Sequence, residues 1–188
     1  MDSSSTADQT IKLTQLDIKV KYSFEERHRH SLLFDKTGNC EVFFRYKAHL
    51  VEVNKLSIGI SLGRTTRDEA VETLRKSLVY CMRAGERLVL DCGNIAVDFK
   101  GLFDTPGSFP VDQLFNFKEW RKEENYMKVV RDDENHDLMG NKKCYMMNDS
   151  FHIVILQNNE DDQETADELR AFIGANNVRD SFDTYIVS

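Results

Sequence analysis

The sequence predicts an α/β fold, with a mostly parallel sheet and flanking helices, and three observations support this. An amphipathic helix is predicted from about Arg67 to Ala84, and a nearly continuous apolar run, residues 87–91, follows it closely. Such a run is typical of a central parallel strand that is buried on both faces. Further strand and helix candidates alternate along the chain, which favours a parallel sheet with right-handed crossovers.

The helix at residues 67–84 has clear start and stop signals. Thr66 and Glu69 have the spacing of a capping box, and Gly85 can adopt the left-handed conformation that ends a helix. One stripe of the helix is apolar and is expected to face the sheet; it consists of Val71, Leu74, Leu78, Cys81 and Met82.

The remaining elements are predicted from shorter patterns. The sequence does not decide whether residues 40–48 form a helix or part of a hairpin. Residues 112–130 are predicted to be helical in part. An acidic helix start is predicted at residues 160–168. The other strand candidates are Leu16–Val20, Ser31–Phe34, Leu50–Val53, Cys144–Met147, Phe151–Leu156 and Phe182–Val187.

Length and charge limit the classes of protein that the chain can belong to. Its 188 residues suit about one domain, so we predict a disordered tail at residues 1–12 and a single α/β domain at residues 13–188. The chain has 25 Lys+Arg against 32 Asp+Glu, a net charge of −7. This acidic balance argues against nucleic acid as a partner, because binding to phosphates needs a basic face.

The sequence also predicts a cytoplasmic protein that does not contact a membrane. No apolar run approaches the roughly 20 residues of a transmembrane helix, and the first ten residues are polar and acidic. The four cysteines lie far apart in the sequence, so neither a disulfide framework nor a zinc site is indicated.

One segment approaches a phosphate-binding loop. Gly59 and Gly63 precede Arg64, Thr65 and Thr66 at the start of the best-defined helix. The spacing of the glycines is one residue short, and Arg64 stands where the motif has lysine. One hypothesis is therefore a small nucleotide-binding enzyme, kinase-like or an NTPase, that uses Mg-ATP. In it Gly63, Arg64, Thr65 and Thr66 hold the phosphates, and Asp91 holds Mg²⁺ at the end of its apolar strand.

Other motif matches each lack a required residue. Residues 104–107 match the DxxG pattern of GTPases, but the nearest candidate for the guanine-reading motif, residues 141–144, ends in cysteine. Asp133, Asn135 and Asp137 have the spacing of calcium ligands, yet Leu138 stands where that loop needs glycine. We therefore predict no metal site and no catalytic residues.

A segment rich in aromatic and basic residues is the predicted protein-interaction surface. It runs from Lys118 to Arg131 and contains Trp120, Arg121, Lys122 and Tyr126. The alternative is an ordinary amphipathic helix with its aromatic side chains in the core.

Several segments, in order, resemble one AAA module of a dynein heavy chain, specifically its degenerate fifth module. Residues 29–38 resemble the first strand and the altered turn that replaces the phosphate loop there, and residues 50–56 resemble the second strand. Residues 80–85 and 88–91 are similar to the following helix and Walker B strand, and residues 148–157 are similar to the sensor strand.

The resemblance implies a P-loop-NTPase/AAA-like core without a helical lid that has lost nucleotide chemistry. The leading hypothesis is thus a non-catalytic pseudo-NTPase domain that needs no cofactor and binds protein partners as a scaffold. The resemblance also implies a place in a ciliary or microtubule-associated assembly of the cytoskeleton.

Overall fold

The computed structural model describes residues 8–158 and 163–188, which build a six-stranded sheet. Its strands are β1 (Gln9–Ile11), β2 (His30–Asp35), β3 (His49–Glu52), β4 (Arg87–Asp91), β5 (His152–Asn158) and β6 (Phe182–Val187). Their spatial order is β1-β6-β2-β5-β4-β3, and every neighbouring pair is parallel. The predicted α/β class is confirmed, and the sheet is consistent with a P-loop-NTPase/AAA-like core.

Helices cover both faces of the sheet. On one face, α1 (Leu16–Glu25) and α2 (Cys40–Lys47) bury Leu16, Val20 and Phe44 against the strands. The other face carries a larger core, to which every remaining helix contributes. These helices are α3 (Val53–Ser61), α4 (Arg67–Ala84), α5 (Phe99–Phe103), α6 (Val111–Leu114), α7 (Phe117–Trp120), α8 (Glu123–Tyr126), α9 (Gln163–Ile173) and α10 (Ala175–Ser181).

Helix α4 forms as its sequence predicts. Thr66 and Glu69 make the reciprocal capping box, and Gly85 has a φ of 71°, in the left-handed region. A side chain there would also be strained by the backbone conformation and would meet Asn148 at 2.6 Å. The predicted stripe of five apolar residues is buried.

The connections place a crevice at the carboxyl edge of the sheet. Strand β2 leads into α2 on one face, whereas its neighbour β5 precedes α9 on the other face. Ligands of open α/β sheets bind where adjacent strands lead to opposite faces, outside their carboxyl ends. The ends of β2 and β5 are therefore the place to look for a site.

Two predictions near the amino terminus are wrong. Leu16–Val20, predicted as a strand, begins helix α1, because Leu16 and Val20 pack inward at helical spacing while Ile18 between them is exposed. The predicted tail at residues 1–12 is too long, since Gln9–Ile11 form β1 along β6. Residues 1–7 lie outside the described part of the chain.

Later segments give a mixed result. Cys144–Met147 is not a strand: Tyr145 and Met147 are buried in alternation, but the Tyr145 amide donates to the Asn135 side chain and not to a neighbouring strand. Residues 40–48 are resolved as helix α2, and residues 112–130 contain short helices, as predicted. The predicted acidic helix start includes residues 160–162, which lie outside the described residues.

No helix within residues 8–158 and 163–188 has both the length and the apolar character needed to cross a lipid bilayer.

Candidate functional site

Four neighbouring strands end in polar side chains at the crevice. Asp35, Glu52, Asp91 and Asn158 are the last residues of β2, β3, β4 and β5. A cavity of about 660 Å³ lies here, and Glu52, Asp91 and Asn158 line it together with Glu41 from α2. The carboxyl edge of the sheet is thus an acidic cavity at the position where α/β proteins bind ligands.

The turn between β2 and α2 is closed around the carboxylate of Asp35. One oxygen of this buried side chain accepts hydrogen bonds from the Thr37 amide, at 2.8 Å, and from the Thr37 hydroxyl, at 2.7 Å. The other oxygen accepts from the Cys40 amide at 2.8 Å, and the Asn39 amide donates to the Thr37 hydroxyl. The amides of Thr37 and Cys40 could hold a bound anion at the start of α2, but they already donate to the carboxylate of Asp35. We call this carboxylate the internal anion.

Three carboxylates converge in the cavity. One oxygen from each of Glu41, Glu52 and Asp91 lies within 4.8 Å of the other two. Oxygen ligands in this number suit a divalent cation such as Mg²⁺. However, Arg45 donates hydrogen bonds to both glutamates, and Lys55 forms an ion pair with Glu52 at 2.6 Å. Side chains of the protein thus already balance two of the three negative charges.

The pKa values of Asp91 and Glu52 in this cluster are shifted in opposite directions. Burial raises the pKa of Asp91, and the nearby Glu41 and Glu52 raise it further against the hydrogen bond from the Gly93 amide. The hydrogen bond from Lys55 is the main cause of the lowered pKa of Glu52. Asp91 is therefore the carboxylate in this cluster that lacks a cationic side chain of its own.

The segment expected to bind phosphates does not join this cavity. Asp91 lines it, but Gly63, Arg64, Thr65 and Thr66 are not among the described residues around it. At the start of α4, the Glu69 carboxylate accepts from the Thr66 amide at 2.8 Å and from the Thr65 hydroxyl at 3.2 Å. These bonds lower the pKa of Glu69. At the start of α4, as at the start of α2, a carboxylate of the protein itself thus accepts a backbone amide.

The aromatic side chains of the predicted interaction surface lie inside the protein. Trp120 and Tyr126 are buried in the larger core. The Arg121 guanidinium lies 3.9 Å from the centroid of the Phe117 ring and donates to the Phe151 carbonyl; burial lowers its pKa to about 10. Lys122 is exposed and pairs with Glu119. The arrangement agrees with the alternative interpretation, in which the aromatic side chains belong to the core.

Two buried histidines lie at the opposite, amino edge of the sheet, where the sequence analysis assigned no role. His152 accepts a hydrogen bond from Arg87 Nε at 3.0 Å and stacks on Phe24 with ring centroids 4.6 Å apart. His30 is fully buried, and its Nδ1 accepts from the Ile153 amide. Burial lowers the pKa of both, that of His152 to about 4.

We expect these histidines to make the fold sensitive to acid. The pKa of His152 is near 6.5 in an unfolded chain, so between pH 4 and 6.5 the unfolded state binds more protons than the native state. The His152 contribution is complete above pH 6.5 and decreases as the pH falls, by about 2 kcal/mol at pH 5. Urea unfolding of the wild type at pH 7.5 and pH 5 measures this loss.

His152→Gln is the matched variant, because a glutamine oxygen can still accept from Arg87. The variant should lose about 2 kcal/mol less than the wild type over the same pH interval. An equal loss in both proteins would show that His152 does not cause the acid sensitivity.

The fold and site define an α/β protein with a fully parallel sheet and a carboxylate-rich cavity at its carboxyl edge. Searches against protein-family models, curated proteins and solved structures find no significant match to the chain. The resemblance to a degenerate dynein AAA module therefore stays a hypothesis from the sequence.

Proposed function

We propose that the chain is a non-catalytic, AAA-like pseudo-NTPase domain that acts as a scaffold for protein partners. The observation that carries this proposal is the internal anion at the β2–α2 turn. A phosphate at this helix start would need the amides of Thr37 and Cys40, and both already donate to Asp35. In this proposal the domain has the parallel sheet of an NTPase, but the Asp35 carboxylate takes the place of a phosphate at the start of α2.

The electrostatics of the cavity support the same proposal. A nucleoside triphosphate in this cavity would approach Glu41, Glu52 and Asp91, of which the two glutamates are neutralised by protein cations. Repulsion between like charges in a partly buried cavity is strong, because the effective dielectric constant is low. A phosphate at the start of α2 would in addition require Asp35 to leave its three hydrogen bonds.

One observation favours the second candidate, a nucleotide-binding enzyme. Asp91 ends a central strand and has two further carboxylates within 4.8 Å, so these residues suit a divalent cation. The phosphates of Mg-ATP fit less well at the starts of α2 and α4, because Asp35 already accepts from the Cys40 amide and Glu69 from the Thr66 amide. Asp91 would hold the cation, and Asn54 and Lys55, in the first turn of α3, line the same cavity.

A ligand titration separates the two candidates. We expect Mg-ATP and Mg-GTP, each up to millimolar concentration, to leave the melting temperature of the chain unchanged. A ligand at 100 times its dissociation constant would stabilise the native state by about 2.7 kcal/mol, which thermal denaturation readily detects.

The control variant is Asp91→Asn, which removes the charge of the carboxylate and keeps its shape. Saturable stabilisation of the wild type at micromolar nucleotide, lost in Asp91→Asn, would refute the scaffold proposal and support the enzyme. Stabilisation by Mg²⁺ alone would indicate a cation site without nucleotide chemistry.

The proposed partners are proteins of a ciliary or microtubule-associated assembly in the cytoplasm. Support for this part comes only from the dynein resemblance of residues 29–157. A tagged full chain in ciliated cells should concentrate on cilia or microtubules; a uniform distribution would remove this part of the proposal.

A further inference from the structure

A short segment between α8 and β5 exposes large apolar side chains to solvent. Leu138, Met139 and Met146 are 72%, 88% and 73% exposed, and we call these three residues the apolar tip. Three such residues lie close together in the sequence, which makes this segment a candidate for interaction, since exposed apolar patches often mark interaction sites. Methionine in particular adapts its shape to the surface that it contacts.

The apolar tip is held in place by its own segment. The Asp137 carboxylate accepts hydrogen bonds from the amides of Met139 and Asn141, each at 2.9 Å. His136 and Lys142 pair across the turn, and the Tyr145 hydroxyl donates to the Val79 carbonyl of α4. A segment that is already ordered loses little conformational entropy on binding, so it is suited to docking.

Two free cations accompany the apolar tip. Lys142 and Lys143 are exposed, and neither forms a hydrogen bond through its side chain or an ion pair within the described part of the chain. On a chain of net charge −7, this is an unusual combination of apolar and basic groups. Its complement is a groove with acidic residues along it.

Such a groove lies on the same protein, along the first turns of α4. This acidic groove has a volume of about 630 Å³, within the usual range of binding clefts. Among the described residues that line it, Asp68, Glu69 and Glu72 are acidic, Arg131 is the one basic residue and Val71 the one apolar residue. The others are hydroxyl residues: Thr73, Thr105 and Ser108. Asp68 makes no ion pair with any described residue, so its charge is available to a lysine.

The groove adjoins the base of the segment that carries the apolar tip. Arg131 of the groove donates to Glu72 at 2.6 Å, and Glu134, at the base of the tip segment, forms a two-bond pair with Arg75 of α4. A surface that holds both complementary parts can pair with itself about a two-fold axis, which closes the assembly at two copies.

We propose that two copies of the chain form a symmetric dimer, in which the apolar tip of each copy enters the acidic groove of the other. Lys142 and Lys143 of one copy then approach Asp68 and Glu69 of the second. This dimer goes beyond the proposed scaffold function and does not depend on whether a nucleotide binds.

Sedimentation of the full chain from about 1 to 200 µM measures the dimer. We expect reversible dimerisation in the wild type and a dissociation constant at least about 30-fold higher in Leu138→Asp/Met139→Asp. Tyr46→Asp is the control: Tyr46 is also large and 85% exposed, but it lies on α2, which packs on the opposite face of the sheet. This control should dimerise like the wild type.

A charge exchange tests the pairing itself. Lys142→Glu/Lys143→Glu should weaken the dimer, and adding Asp68→Lys to the same chain should restore it in part. Circular dichroism and melting curves verify that each variant is folded. The proposal would be overturned if the wild type stayed monomeric over the whole concentration range or formed open-ended filaments. It would also be overturned if Leu138→Asp/Met139→Asp left the dimer unaffected. Failure of Asp68→Lys to recover dimerisation would overturn the assigned groove.

Discussion

Asp35→Ala is expected to lower the free energy of unfolding by about 4 kcal/mol. The Asp35 side chain is fully buried and accepts three hydrogen bonds from Thr37 and Cys40. A hydrogen bond to a charged group contributes about 1.5–3 kcal/mol, and the variant also leaves the buried Cys40 amide and the half-buried Thr37 amide without an acceptor. Urea denaturation of both proteins measures the difference. The unfolding free energy should depend on the urea concentration with the same slope in both.

Asp98→Ala is the control for this variant. The Asp98 carboxylate also caps a helix start, but it accepts from the Gly101 amide alone and is only half-buried. Its loss should cost about 1 kcal/mol, as for ordinary caps. If Asp35→Ala costs no more than Asp98→Ala, Asp35 is not the internal anion that closes the β2–α2 turn.

Trp120→Ala is expected to destabilise the fold by about 3–5 kcal/mol. Trp120 is the largest of the fully buried side chains among the described residues and packs in the larger core. Truncating a buried aromatic residue removes its transfer free energy and leaves a cavity that the surroundings fill only in part. Urea unfolding measures the effect without any partner protein.

Lys122→Ala is the neighbouring control, because Lys122 is exposed and makes a surface ion pair with Glu119. It should change stability by no more than about 0.5 kcal/mol. A Trp120→Ala variant as stable as Lys122→Ala would instead place Trp120 on a surface, as the interface hypothesis from the sequence requires.

The parts of the fold that the sequence predicts best are those with several agreeing signals. Helix α4 has a cap, a stripe and a glycine stop, and β4 follows as a continuous apolar run. Leu16–Val20 has one signal only: its apolar residues at positions 16, 18 and 20 fit a strand, whereas positions 16 and 20 alone fit a helix. Tertiary packing decides between them, because the sheet buries Leu16 and Val20 but not Ile18.

The candidate site was harder to predict than the fold. Asp91 could be found because it ends an obvious strand. Asp35, Glu41 and Glu52 were missed, since they come from three separate elements, and only the strand order brings Glu41 and Glu52 near Asp91. A carboxylate at the end of a strand, two residues before threonine and five before a helix start, was the available signal for Asp35. The burial of Trp120 likewise depends on contacts between elements.

The amide signals of Thr37 and Cys40 in nuclear magnetic resonance spectra test the central claim most directly. During titration with Mg-ATP to millimolar concentration, both signals should stay in place, because their protons remain bonded to the Asp35 carboxylate. A saturable shift of both signals, absent with Mg²⁺ alone, would show that phosphate displaces Asp35 and would contradict the assignment of a pseudo-NTPase.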